Sequence, residues 1–431
     1  MKGIRRAAPT KTGGEPTMTK RRVVITGMGA ITPIGLSAAE SWKNAKAGVC
    51  GIGPITLYDT ADMKVKLAAE AHGFAPEDFI DKREARKMDR FTQFAMAAAG
   101  EAVTQSGLDM EGEDPYRCGV IVSSGIGGLN TLHFEGIKGY EKGYDRISPF
   151  YIPMSITNIA AGHIAIKYGL KGMCTCVTAA CAGGANAVGD AFRHIRDGYA
   201  EVMVCGGSEA AITPNGMGGF TSMKALTTSS DPARASIPFD AERSGFVMGE
   251  GAGILVLEEL DHAQRRGAAI LGEVVGYGAT CDAHHITAPA PGGTGSAEAM
   301  RQSLSDAGIA PEEVGYINAH GTSTPMNDSC ETAAIKAAFG EHARRLAVSS
   351  TKSMTGHLLG AAGAIESVFS AMALLEGFLP PTIHYAVPDE ACDLDVVPNV
   401  GREAPELRYA LSNALGFGGH NVSLIFKKWE G

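Results

Sequence analysis

Six short segments of this chain are apolar at nearly every position: Val23-Val24-Ile25-Thr26, Val120-Ile121-Val122, Val202-Met203-Val204-Cys205, Ile254 to Leu257, Tyr316-Ile317-Asn318 and Val422-Ser423-Leu424-Ile425-Phe426. Strands without polar alternation are covered on both faces, which confines the chain to sheets sandwiched between helices. Ala/Gly-rich stretches of helical length separate them, so the expectation is an α/β protein. With 431 residues, 45% hydrophobic and 20% charged, the chain is long enough for one large α/β domain or two smaller ones.

Several classes of function are set aside by composition. Runs such as Ala252 to Leu257 are too short to span a bilayer, and no apolar stretch follows the basic N-terminal residues, so neither a membrane helix nor a signal peptide is expected. The expectation is a cytoplasmic protein. Nine cysteines, an odd number, fit reduced thiols better than a disulfide framework. A formal net charge of -9 argues against nucleic acid as a partner. Residues 1 to 20 are basic and rich in Gly, Pro and Thr, and Met18 precedes the first strand; a disordered extension with an alternative start is the expectation there.

Two stretches hint at duplication. Ile25-Thr26-Gly27-Met28-Gly29-Ala30-Ile31-Thr32-Pro33 and Ile317-Asn318-Ala319-His320-Gly321-Thr322-Ser323-Thr324-Pro325 both read as a strand followed by a Gly/Thr/Pro turn. The first lacks the third glycine and the following acid of a dinucleotide fingerprint, so a tight strand-to-helix turn is expected rather than a nucleotide site.

The residues that carry chemistry are one cysteine and two histidines on small-residue platforms. Cys181 sits in Val177-Thr178-Ala179-Ala180-Cys181-Ala182-Gly183-Gly184, His320 in Ala319-His320-Gly321-Thr322-Ser323-Thr324-Pro325, and His357 in Ser353-Met354-Thr355-Gly356-His357-Leu358-Leu359-Gly360. A strand over Met173 to Val177 leads toward Cys181, and Ala185, Val188, Phe192 and Ile195 follow at helical spacing, which places the cysteine at a helix N-terminus where the dipole favours a thiolate. Taken alone, Cys181 reads equally well as a small buried apolar residue. Cys174 and Cys176 lack metal-ligand spacing and are expected to pack in the core, and no metal site is expected. Both histidines follow apolar segments, Tyr316-Ile317-Asn318 and Leu346-Ala347-Val348, and so are expected to emerge from one edge of a sheet. Lys352 is either a solvated lysine or a buried one paired with Asp328, Glu331 or Glu366.

Five stretches together resemble the β-ketoacyl-acyl carrier protein synthases of the elongating type, closest to synthase II. They are Thr178 to Cys181, Pro238-Phe239-Asp240-Ala241-Glu242-Arg243-Ser244-Gly245-Phe246-Val247-Met248-Gly249-Glu250-Gly251, the two histidine motifs, and Asn413-Ala414-Leu415-Gly416-Phe417-Gly418-Gly419-His420-Asn421. The resemblance runs from about Arg21 to Phe426. It implies a thiolase fold, with duplicated halves at 21–268 and 269–431 in a five-layered α-β-α-β-α sandwich, and a homodimer. It also implies an acyltransferase of fatty acid elongation. By this resemblance Cys181 carries the acyl group, His320 and His357 stabilise the enolate from decarboxylated malonyl thioester, and the backbone of Phe417 helps hold the oxyanion; the glycines at 416, 418 and 419 further lead to the expectation that the Phe417 loop gates the pocket.

The same resemblance assigns the supporting residues. Lys352, Asp328, Glu331 and Glu366 form a charged network behind the histidines; Ile126 lines the acyl pocket; Thr287, Thr322 and Thr324 contact the pantetheine arm. Arg83, Arg86 and Lys87 would receive an acidic acyl carrier protein, the partner that delivers acyl and malonyl thioesters, and no cofactor is implied. A thiolase would place a second cysteine in the Gly416 to His420 stretch, and none is there. A non-catalytic chain-length partner would lack Cys181. A polyketide ketosynthase with the same three residues stays open.

Overall fold

A computed structural model of the chain describes residues 20–431. The expected N-terminal extension lies outside the described residues except for Lys20, whose ammonium reaches Asp306 at 3.2 Å. Ten strands form the main sheet: β1 (Val23–Ile31), β2 (Cys118–Ser123), β3 (Cys174–Thr175), β4 (Val202–Glu209), β5 (Gly251–Glu259), β6 (Gly272–Cys281), β7 (Val314–Asn318), β8 (Ala347–Ser349), β9 (Tyr409–Gly416) and β10 (His420–Lys427). Their order is β8-β7-β9-β10-β6-β1-β5-β4-β2-β3. All six segments read as strands from sequence are among them.

The order contains one pattern twice. Within the first five strands it is third-second-fourth-fifth-first, and within the second five it is the same. Strand directions match as well: the third, second and fourth run parallel, and the fifth is antiparallel to both the fourth and the first. The halves join where β1 meets β6, through three antiparallel pairs, Val23 with Val274 to Ile25 with Gly272.

Helices complete the layers. The helices α1 (Arg90–Ser106), α2 (Gly183–Arg196), α3 (Thr294–Ala307), α4 (Pro325–Phe339) and α5 (Ala362–Glu376) fill distinct positions. The outer face of the first half is covered by α1, and that of the second half by α3 with α4 beside it; α2 and α5 pack on each other between the two half-sheets. The result is the five-layered α-β-α-β-α sandwich of the thiolase fold. Its largest core lies in the middle layer, where Val188, Phe192 and Ile195 of α2 meet Ile365, Val368 and Phe369 of α5.

The structure relocates the internal repeat. Gly27 and Gly29 are not in a turn; they lie inside β1, and a Cβ on either would sit 2.0 Å from a carbonyl oxygen of α1, that of Ala102 or Ala98. The counterpart is not the stretch around His320 but Gly276 and Gly278 in β6, where a Cβ would lie 2.3 Å and 1.9 Å from Ser303 and Ala299 oxygens of α3. Each Gly-x-Gly therefore lets one outer helix seat directly on the first strand of its half.

Two other expectations are corrected. Strand β3 is two residues long and lies at the sheet edge, so Cys174 is exposed and Cys176 half-buried rather than core. The segment Leu359–Glu376 is long and apolar enough, by length and composition, to cross a membrane, with a mean hydropathy of 1.4, whereas the sequence reading weighed only short runs such as Ala252 to Leu257. It is 83% buried, because α5 is the middle-layer helix touched from all sides. All nine cysteines are free.

A buried ionic cluster fastens β5 to its surroundings. His262 lies between two carboxylates, its Nδ1 2.8 Å from Glu258 and its Nε2 2.8 Å from Glu113. Carboxylates only accept, so both ring nitrogens donate and the ring is an imidazolium. The Glu258 bond raises the His262 pKa while burial opposes it. A raised pKa contributes stability below the unfolded value near 6.5, and that contribution is lost as pH rises through the folded value. His262→Gln is therefore expected to cost about 1 kcal/mol near pH 6 and clearly less near pH 9, measured by urea unfolding at both; equal losses would show that the ring's charge is irrelevant.

Candidate active site

The loop after β3 carries Cys181, and the parallel strands β7 and β8 of the other half lead into the segments that carry His320 and His357. By the repeat, β3 matches β8, so Cys181 and His357 occupy corresponding positions ahead of the two middle-layer helices. Those helices approach closely at their N-termini: a Cβ on Gly184 or Gly363 would come within 2.8 Å of the other helix. This contact brings the thiol and the imidazole, 176 residues apart in sequence, to one place. The chain turns from β3 into α2 through Ala180, held at φ +47, a conformation that a non-glycine residue keeps only when its surroundings enforce it.

One cavity of about 500 Å³ is lined by Cys181, His320, His357, Phe417, Thr287, Thr322 and Thr324. The imidazoles of His320 and His357 stand edge to face with centroids 5.2 Å apart, and Phe246 packs edge-on against His357 at 5.2 Å. Among the described residues, Nδ1 of both histidines is buried without a partner. An orphaned acceptor costs less than an orphaned donor, so the ring proton sits on Nε2. Burial, with the nearby Lys352 charge, holds both imidazoles well below the usual value. They are neutral donors.

The thiol differs from the sequence expectation. Burial dominates and pushes the Cys181 pKa up to about 12; the Lys352 charge and the backbone N–H groups of Phe417 and Cys181 pull it down, and Glu209 adds to the rise. A helix N-terminus argues for a thiolate only where the thiol stays solvated, and this one is enclosed by the opposite half. At rest Cys181 is a thiol. Iodoacetamide alkylation of Cys181, followed by peptide mass spectrometry, is expected to climb about tenfold per pH unit from pH 7 to 10; a plateau below pH 8 would restore the thiolate.

Behind the cavity the charged residues make separate contacts rather than one network. Lys352 is buried and pairs with Glu366, not with Asp328 or Glu331, and burial lifts the Glu366 carboxyl to about 7. Glu331 accepts the backbone N–H groups of His320 at 2.9 Å and Gly321 at 2.8 Å, so it fixes the His320 loop. Asp328 instead accepts the Phe239 N–H at 2.9 Å and stands 3.8 Å from Arg243. None of these four lines the cavity.

The structure leaves some predicted residues apart. Ile126 is outside the cavity wall and packs in the apolar cluster that contains Cys181, Met217, Leu226 and Phe246. Arg83 and Arg86 are exposed on the short helix Lys82–Ala85 and just beyond it, Lys87 pairs with Glu84 at 2.7 Å, and none reaches the cavity. Sequence reasoning passed over Phe220, which faces Phe417 at 6.3 Å, and Glu209, a fully buried carboxylate beside the thiol.

Comparison with known proteins agrees with this arrangement. The family described as "Beta-ketoacyl synthase, N-terminal domain" matches residues 20–263, and "Beta-ketoacyl synthase, C-terminal domain" matches residues 271–386. The chain is 52% identical to a 3-oxoacyl-[acyl-carrier-protein] synthase 2 of Synechocystis sp., over 96% of this chain and 99% of the relative. Among solved structures, the ishigamide ketosynthase/chain length factor superimposes with a TM-score of 0.90 at 36% identity, over 95% of this chain and 100% of that one. A type II PKS acyl-carrier protein in complex with its ketosynthase bound to the hexaketide gives 0.87 at 34%, with the same coverage. With both domain families matched in order across the repeated halves, and one cysteine facing two neutral histidines between them, the chain belongs to the beta-ketoacyl synthase family.

Proposed function

We propose that this protein is an acyltransferase of fatty acid elongation, condensing an acyl group held on Cys181 with malonyl-acyl carrier protein by decarboxylative Claisen chemistry. One observation carries the reading: Cys181, His320 and His357 share one cavity, with the Phe417 and Cys181 amides aimed at the thiol. The thiol of Cys181 exchanges with the acyl thioester, releasing the pantetheine thiol of the carrier protein. Malonyl thioester enters next, and the Nε2–H groups of His320 and His357 donate to its thioester carbonyl as loss of CO2 converts it to an enolate. Neutral imidazoles fit this role because they donate without protonating the carbanion. The enolate carbon attacks the acyl carbonyl, the oxyanion rests on the Phe417 and Cys181 N–H groups, and collapse expels the cysteine sulfur, which takes up a proton. No cofactor or metal enters these steps.

The supporting residues follow. Lys352 with Glu366, Asp328 and Glu331 keeps the histidine loops in place, Thr287, Thr322 and Thr324 hold the pantetheine arm, and Ile126 meets the acyl chain. Arg83, Arg86 and Lys87 form a basic patch for the acidic carrier protein. The 52% identity to a 3-oxoacyl-[acyl-carrier-protein] synthase 2, against 34% to the ketosynthase of a type II PKS, favours fatty acid over polyketide substrates. A cytoplasmic homodimer completes the reading. Nine free thiols support the first part. The open edge of β3 and the exposed Phe134, Ile137, Tyr140 and Ile152 support the second.

The test is to supply acyl- and malonyl-acyl carrier protein and to follow CO2 release, β-ketoacyl product and the mass of the Cys181 peptide. Product without a Cys181 adduct refutes the mechanism. Phe417 gives a narrower check. It is half-buried at the tip between β9 and β10, before Gly418 at φ +91 and Gly419 at φ +79, which lets the tip rearrange. Phe417→Ala is expected to cost about 1 kcal/mol of stability or less while blurring discrimination between acyl and malonyl thioesters. A loss of about 3 kcal/mol or more with unchanged selectivity would make it a packing residue.

A further inference from the structure

Glu209 ends β4 in full burial, and a carboxylate there needs a reason. Its Oε1 accepts the Ser124 hydroxyl at 2.9 Å and the Ile126 N–H at 3.2 Å, and its Oε2 accepts the N–H of Gly125 at 2.7 Å and of Gly360 at 3.1 Å. Ser124 in turn accepts the Gly127 N–H at 2.9 Å, so its proton goes to the carboxylate. Burial raises the Glu209 pKa, but all four neighbours are donors directed at its two oxygens, so the group is held as an anion against that rise.

That anion does not serve the thiol. Its charge opposes ionisation of Cys181, the reverse of what Lys352 does from the other side. What it does serve is the join between two loops from different halves. Ser124, Gly125 and Ile126 follow β2, whereas Gly360 lies three residues after His357. The loops touch only because both approach points are glycine: a Cβ on Gly125 or Gly360 would lie 2.8 Å from Oε2. On either side of the join, Ile126 and Leu359 belong to the apolar cluster that also holds Cys181.

We propose that Glu209 is a positioning residue that sets acyl chain-length selectivity, by pinning the Ile126 loop to the His357 loop at a fixed spacing from Cys181. The proposal rests on the acyl-transfer reading above, and a fatty acyl chain leaving Cys181 has this cluster as its apolar surroundings. Moving one loop by the length of a methylene changes the room for the chain, and methylene-sized differences in an apolar pocket alter kcat/KM by roughly tenfold or more.

The experiment uses the full-length protein with Glu209→Gln and Glu209→Asp. Substrates are acyl carrier protein thioesters from six to sixteen carbons. Glu209→Gln turns an amide NH2 toward two of the four donors, and Glu209→Asp keeps the charge but shortens the reach. Both are expected to shift the long-to-short ratio of kcat/KM by about tenfold, with kcat for the preferred length nearly kept. Iodoacetamide alkylation of Cys181 at pH 8 is expected to rise about threefold in Glu209→Gln, where the opposing charge is gone, and to stay at the wild-type rate in Glu209→Asp. If Glu209→Gln does not fold, Glu209→Asp decides on the ratio alone. A uniform loss across all chain lengths, or an unchanged ratio in folded variants, overturns the proposal. Failure of the acyl-transfer reading looks different, because the wild-type protein would then acylate with none of the thioesters.

Discussion

Cys181→Ala is expected to abolish condensation, by roughly four orders of magnitude or more, because no other thiol lines the cavity: the eight remaining cysteines are free but none is part of its wall. Decarboxylation of malonyl thioester needs only the two histidine donors and should survive in this variant. The two results separate loss of the nucleophile from collapse of the site. A Cys181→Ala protein that still condenses, or a wild-type acyl adduct mapped to Cys281 or Cys176, would remove the thiol from the mechanism.

The histidines should show the reverse pattern. With His320→Ala or His357→Ala, acyl transfer to Cys181 is expected to continue, while malonyl decarboxylation falls by roughly a hundredfold or more for each. The pH dependence adds a second readout. Burial holds both imidazoles well below their ordinary value, so they stay neutral and wild-type decarboxylation should stay flat as pH falls from 8 through 6. A loss centred near pH 6.5 would mean solvated, titrating histidines and would overturn the neutral-donor reading.

How much of this was legible in the sequence depends on how local each property is. Strand burial was legible because unbroken apolarity is written residue by residue in β1, β2, β4, β5, β7 and β10. So was α2, from Ala185, Val188, Phe192 and Ile195. The duplication was sensed but placed wrongly: shared Thr and Pro drew attention to the His320 loop, whereas the signal lay in Gly-x-Gly at 27–29 and 276–278, whose meaning depends on a helix seated above. The thiol was misjudged because a helix N-terminus is a local feature and enclosure by the other half is not. The choice of Glu366 as the partner of Lys352 is likewise tertiary. Glu209 left a trace, an acid lying between Val202 to Cys205 and Ala210-Ala211-Ile212; an ion in so apolar a run has partners to find.

The first strand of this protein is also its middle one. β1 lies between β5 and β6, and its earliest partner, β5, is made more than 200 residues later. On a ribosome adding about 5–20 residues per second, that leaves an apolar, edge-open strand waiting for roughly ten seconds or more. Folding of the first half can only finish after Gly251–Glu259 emerges, and the middle layer only after α5, so most of the chain is born before any of its cores can close. Such a nascent chain is dominated by long-range pairing, and slow folding with a need for protection from aggregation follows from the strand order alone.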